Sequence, residues 1–241
     1  RRGFLAAKHG PLVVVGARER KPVQEASSVK RGGRQDRTPG GIAGWRGTLA
    51  LLVALFAGYQ WAQSRPIERR PGVLAPDEPA QIEVDAAEPL DAGHEYRLTP
   101  RARFSATVRV LARERYYIDA LAPLAPVDLA VGWGPMSDSA VLAAFDISQS
   151  NRFYYWHADE MPLPRAAIES HSANWHIVPA SAAVNRALRR LRVGEVVRIE
   201  GELVDVAGPD GGSARTSLRR DDTGAGACEI VLAQLLAPVG G

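Results

Sequence analysis

From Arg103 to Leu111, reading RFSATVRVL, apolar and polar residues alternate, with Phe104, Ala106, Val108 and Val110 on one side. That two-residue period predicts a long, half-buried strand. Glu195 to Val206 alternates in the same way, with Val197, Ile199, Gly201 and Leu203 on one face, and the glycine there marks a bend or bulge. Leu129–Trp133 and Cys228–Leu235 are shorter apolar strands, and Arg152–His157 is a polar and aromatic strand stopped by the prolines after Met161. Between them the period changes to that of helices. Ala183, Val184, Ala187, Leu188 and Leu191 share one face of a helix that Ser181 can cap and Gly194 follows. Shorter helices are predicted over Ala140–Ala144, capped by Ser137 or Asp138, and over Arg165–Glu169, with Pro164 as first residue. Short strands with inserted helices predict an α+β fold, a small curled β-sheet or OB-like barrel, preceded by one N-terminal transmembrane helix.

The helix is expected over residues 47–64, GTLALLVALFAGYQWAQS, eighteen residues without a charge. At about 1.5 Å per residue they reach roughly 27 Å, close to the thickness of a bilayer core. Trp45 stands on one flank and Tyr59 and Trp61 on the other, as in interfacial aromatic belts. A cleaved signal ending near Ala62-Gln-Ser64 is the alternative. Charge supports an orientation. Residues 1–46 hold eleven Lys or Arg against three acids, a net of +8, whereas residues 65–241 hold nineteen Arg against twenty-four acids, a net of −5. The basic side of an anchor stays in the cytoplasm. The expectation is therefore a single-pass membrane protein, with a cytoplasmic tail over 1–46, an extended linker over 65–93 and an extracytoplasmic globular domain over 94–238. No Met precedes Met136, and Val29 followed by Lys-Arg-Gly-Gly-Arg reads as an alternative start, so the first 28 residues are set aside.

The chemistry concentrates between Phe153 and Ala180, which holds three of the five His and two of the five Trp. His157, Asp159, His171 and His176 supply imidazoles and a carboxylate of the kind zinc accepts, but their spacing follows no HExxH-like pattern. Hydrogen-bonded histidines supporting turns are the plainer alternative. Trp133, Trp156, Trp175 and Asn174 complete the candidate binding surface, with Trp175 expected to pack on Tyr155 or Trp156. The loop Asp221–Gly226 lacks the strand–loop–helix context of a phosphate cradle, and the serines lack a nucleophile elbow. Cys228 is the only cysteine, so no intrachain disulfide exists, and its apolar strand suggests a core position. Arg186, Arg189 and Arg190 share a helix face that solvation explains, and the acidic domain gives no reason to expect nucleic acid. No cofactor is expected.

Five ordered blocks, PVDLAVGWGPMSD (126–138), ISQSNRFYYW (147–156), HSANWHIVPA (171–180), VGEVVRIEGELVDV (193–206) and TSLRRDDTGAGACEI (216–230), resemble an uncharacterised bacterial family of small, N-terminally membrane-anchored proteins. The resemblance covers roughly residues 66–236 and implies an anchor in a bacterial inner membrane and a periplasmic or otherwise extracytoplasmic domain, but no activity. Where the family carries Trp-rich residues before the Ser-Leu block, this chain has Gly211-Gly-Ser-Ala-Arg215. Two functions follow from the sequence: a non-catalytic, membrane-anchored module that binds a protein partner, or a metal-assisted hydrolase using His157, Asp159, His171 and His176.

Overall fold

The computed structural model describes residues 42–240 except 86 and 210. The chain divides into two units at Thr48, and of the first only the start of helix α1 (Ile42–Ser64) is described. The expected tail and alternative start lie outside the described residues. Leu49, Leu51, Leu52, Val53, Leu55 and Phe56 of α1 are all more than half exposed. Among the described residues no helix is long and apolar enough to cross a membrane. The unbroken apolar stretch of α1, Leu49 to Ala57, is short because Gly58, Tyr59 and Gln60 follow it.

The rest is a sheet-dominated α+β fold. Its strands are β1 (Ala80–Glu83), β2 (Leu90–Asp91), β3 (Arg97–Arg115), β4 (Val127–Gly132), β5 (Asp146–Ser150), β6 (Phe153–His157), β7 (Ser172–Pro179), β8 (Val196–Ala207), β9 (Ser213–Ala214) and β10 (Glu229–Pro238). Helices α2 (Ser139–Leu142), α3 (Arg165–Glu169) and α4 (Ala182–Arg190) interrupt them. The main sheet runs β1-β3-β4-β7-β10-β8-β9, β2 joins β3, and β5 and β6 form a separate hairpin. The long β3 curls the sheet: Arg97–Arg109 pair with β8, whereas Arg109–Arg115 pair with β4. All pairings are antiparallel except β7 with β10, where Glu229 to Ala233 lie beside Trp175 to Pro179.

The alternating residues fill the concave side. Phe104, Ala106, Val108 and Val110 of β3 meet Leu129 and Val131 of β4, Trp175 and Ile177 of β7, and Val197, Ile199 and Leu203 of β8. α4 closes this core with Val184, Leu188 and the following Leu191, while Ala183 faces solvent. Ser181 Oγ accepts from Val184 N at 3.2 Å at one end of α4. At the other, the Arg113 and Arg115 guanidiniums donate to carbonyls of Arg189 and Leu191, occupying acceptors that a helix end leaves open. Gly201 sits where β10 shifts register between Ala233 and Leu235, and a Cβ there would lie 1.9 Å from the Leu232 carbonyl oxygen. Only glycine tolerates that approach.

Residues 65–93 are extended but do not form a free linker. Ile67 N donates to Val193 O at 2.7 Å, Arg192 donates to Arg65 O at 2.9 and 2.8 Å, and Gly72 N donates to Asp138 Oδ1 at 2.8 Å. Leu74 N and Ala75 N both reach the buried Ser137 hydroxyl, and β1 and β2 add to the edge of β3. The stretch lacks an apolar period because its own backbone, rather than its side chains, is what the domain binds. Asp138 also caps α2, accepting from Ala140 N at 2.8 Å. Pro164 precedes α3 as its cap rather than opening it.

Candidate functional site at the β4–β7–β10 face

Inward-facing residues of β7 alternate with outward-facing ones, so Trp175 and Ile177 enter the core while Asn174 and His176 lie on the convex face. Register places Asp128 of β4 beside His176 and Ile230 of β10 on its other side. The β5–β6 hairpin lies over this face. Its turn residues Asn151 and Arg152 both have left-handed backbones, φ 52° and 68°, the geometry of a tight two-residue hairpin turn. Asparagine adopts it readily and arginine does not.

The Arg152 side chain explains why the strain persists. Its guanidinium donates to Asp128 Oδ1 at 2.7 Å, to both Asp119 oxygens at 2.7–3.1 Å and to Ala125 O at 2.9 Å, and lies 3.8 Å from the centre of the Tyr116 ring. The backbone N–H of Arg152 donates to the Tyr116 hydroxyl. The latch thus joins the hairpin turn to β4 and to the loop before it.

Asp128 is completely buried and carries a second partner, His176, whose Nδ1 lies 2.9 Å from Asp128 Oδ2. Neither of these two atoms makes a hydrogen bond of good direction, so the contact is an ion pair rather than a directed bond. Burial works to lower the imidazole pKa, but the interactions with Asp128 and Cys228 outweigh it and raise it to about 9. Asn174 Nδ2 donates to Arg152 O at 3.0 Å and approaches Cys228 Sγ at 3.9 Å, and Gln149 Nε2 donates to Asn174 Oδ1. The face therefore gathers a carboxylate on β4, an imidazole and an amide on β7, and a thiol on the residue just before β10.

The other candidates disperse. Trp133 and Trp175 are core residues, 1% and 0% exposed, stacked on each other at 6.3 Å, and Trp175 meets Phe104 edge-on at 5.1 Å. They form no surface, and Trp175 packs on Phe104 rather than on Tyr155 or Trp156, because it faces the concave side and the hairpin covers the convex one. Trp156 contacts Phe145 and lies under Arg165. His171 Nδ1 binds the Ala167 carbonyl at 2.7 Å and closes α3. His157 is exposed at the far end of the hairpin, 3.4 Å from an exposed Asp159. Among the described residues no three His, Cys, Asp or Glu side chains gather as a metal site, so His157, Asp159, His171 and His176 do not act together.

Asp128, Arg152 and Cys228 were not among the candidates: Arg152 meets Asp128 only because the hairpin folds over β4, and Cys228 meets Asn174 only through a parallel strand pairing that joins residues over fifty positions apart. The one local signal was a lone arginine after Asn151 in a tight turn. On the concave side a second buried acid, Glu229, pairs with Arg220 at 2.8 Å, and burial pushes its carboxyl up to about 8. Comparison with protein-family models, curated proteins and solved structures finds no match to this chain.

Proposed function

We propose that this protein is a non-catalytic, membrane-tethered binding module whose domain faces outside the cytoplasm and docks a protein partner on the β5–β6 hairpin. The observation that carries the reading is the outer face of that hairpin, where Phe153 and Tyr155 are 37% and 51% exposed while the Arg152 latch fixes the ribbon beneath them. Rigid aromatic side chains presented on a fixed support are what protein interfaces use as anchors. The exposed leucines and Phe56 of α1 support the tether, and the +8 and −5 segments on its two sides support the orientation. An OB-like barrel is the finer reading of the curled sheet. It rests on the pairings β3–β4, β4–β7, β7–β10, β10–β8 and β8–β3, with α4 between β7 and β8. The five ordered blocks between residues 126 and 230 support membership of the bacterial family that they resemble.

Alkaline carbonate extraction of native membranes tests the tether: the protein should stay in the pellet, and a soluble form beginning near Arg65 would establish a cleaved signal instead. A reporter fused after Gly241 should behave as extracytoplasmic. For the docking face, a partner co-purifying with the full chain should be lost with Phe153→Ser plus Tyr155→Ser and retained with Arg186→Glu plus Arg190→Glu. Equal loss in both would remove the hairpin from the interface.

A further inference from the structure

Six arginines of the domain find acids: Arg101, Arg152, Arg165, Arg198, Arg219 and Arg220 each lie 2.5–3.2 Å from a carboxylate. The arginines around the C-terminal end of α4 do not. Arg113 and Arg115, on one side of β3, both donate to the carbonyl oxygen of Arg189, at 3.0 and 2.5 Å, and Arg113 also reaches the Leu191 carbonyl at 2.5 Å. Arg192 donates to the carbonyl of Arg65 at 2.9 and 2.8 Å, and Arg189 to the Asn185 side-chain oxygen at 3.1 Å. Every one of these acceptors is neutral. Arg115 Nε is buried and makes no hydrogen bond, and the exposed Arg190 side chain has no bonding partner among the described residues.

The helix end accounts for only part of this. A helix C-terminus carries roughly half a negative charge, which one guanidinium more than cancels. Here Arg113, Arg115, Arg189, Arg190 and Arg192 gather at one such end. The acids acting on Arg113 are Glu195 and Glu114. Glu195 accepts from the backbone N–H of Arg192 at 2.7 Å, and Glu114 alternates with Arg113 and Arg115 to the other side of β3. Neither forms an ion pair, so the cluster keeps a surplus of positive charge. α1 fixes where that surplus lies. Arg65 directly follows Ser64, the last residue of α1, and its guanidinium lies 4.6 Å from the centre of the Trp61 ring. Arg192 therefore grips the chain one residue beyond the helix.

We propose that the arginines around the end of α4 bind the phosphates of anionic phospholipids beside the anchor. The exposed Arg189 and Arg190 meet the phosphates, while Arg113 and Arg115 behind them add charge that nothing in the chain neutralises. The inference rests on the tether reading. Under it the residue after α1 lies in the headgroup layer, which is roughly 5–7 Å deep on each side of a bilayer. Phosphate oxygens supply the charge-assisted acceptors that the carbonyls around this cluster do not. The domain is then held with the C-terminal end of α4 toward the bilayer, whether or not the hairpin docks a partner.

The full chain is reconstituted into phosphatidylcholine vesicles holding a trace of spin-labelled phosphatidylglycerol or spin-labelled phosphatidylcholine, and the lipid immobilised by the protein is read by electron paramagnetic resonance at low salt. Phosphatidylglycerol should be preferred about fivefold or more, the factor that one basic residue near an anionic surface supplies. The basic segment before α1 attracts the same lipid, so the share that substitution removes is the one belonging to the domain. In Arg189→Gln plus Arg190→Gln the preference should fall at least about threefold, and in the native protein it should weaken at about 1 M salt, where the screening length is about 3 Å. Should the double variant lose its helical circular dichroism, Arg190→Gln alone decides, with a fall of about twofold or more expected. No preference, or one that substitution leaves unchanged, overturns the proposal and leaves the tether standing. Displacement of the lipid by millimolar inorganic phosphate also overturns it, assigning the arginines to free phosphate. Protein left behind when neutral vesicles float overturns both, since it removes the anchor.

Discussion

Trp175 owes its place to parity. The residues around it, HSANWHIVPA, look like an ordered polar loop with one tryptophan against neighbouring aromatics, yet they form β7, in which every second residue enters the core. Trp175 is one of the largest fully buried side chains, stacked on Trp133 and set edge-on to Phe104. Trp175→Ala should therefore cost about 3–5 kcal/mol, as large aromatic truncations in cores do. Urea unfolding of the protein measures it, and an unchanged midpoint would place the ring outside the core. Its indole Nε1 and that of Trp133 have no hydrogen-bond partner among the described residues, which trims the benefit of burying them. At this scale the aromatic content of the site was legible and its direction was not. Direction needs the strand's start and register, and a single-residue slip turns every side chain to the other face.

Elements with their own period were legible. The strand over 103–111, its counterpart over 195–206 and the helix after Ser181 all carry alternation or an apolar stripe, and each appears in the structure, β3 longer at both ends. The 65–93 stretch was illegible because its attachment runs through backbone groups and two glycines, Gly72 and Gly194. The second meets Ile67 so closely that a Cβ would lie 2.2 Å from the Ile67 carbonyl oxygen. The hairpin latch was illegible for a different reason: its partners Asp119 and Asp128 lie on either side of a turn that carries no motif. Arg152→Gly separates two effects at this turn. Glycine relieves the left-handed backbone, a gain of about 1 kcal/mol. Removing the guanidinium leaves Asp128 buried with one charged partner fewer, a loss on the order of 3–5 kcal/mol. The variant should be destabilised by about 2–4 kcal/mol in urea unfolding; a stabilised variant would show that the latch contributes nothing.

Across the whole molecule, two buried groups make stability depend on pH in the same direction. His176 is raised from 6.5 to about 9, so the folded state holds its proton more tightly than the unfolded chain. That contribution is complete below about pH 6.5 and vanishes as pH climbs through 9. Glu229 is raised from 4.5 to about 8, and its contribution, complete below about pH 4.5, is lost by pH 8. The acids shifted downward, Asp119, Asp138 and Asp221, act only at the acidic end, near their ordinary value of 3.8. Urea midpoints should therefore decline from about pH 6.5 to 9, and Glu229→Gln should make the decline below pH 8 shallower, leaving the slope that belongs to His176, while the last unit is unchanged. A midpoint that rises over this interval would contradict both assignments.

The parallel pairing of β7 with β10 also governs when the protein can exist. β10 lies between β7 and β8, although it follows both in the chain. During synthesis the two flanking strands emerge first and cannot complete their pairing until the last of the three arrives. Until some thirty residues after Ala207 are in place, the chain has two open edges waiting for one strand. The polar face under the hairpin is completed by the same event, since Cys228 comes beside Asn174 only when β10 slots in. The sulfur acquires its polar neighbours, Asn174 and the Arg152 carbonyl, at the moment the fold closes.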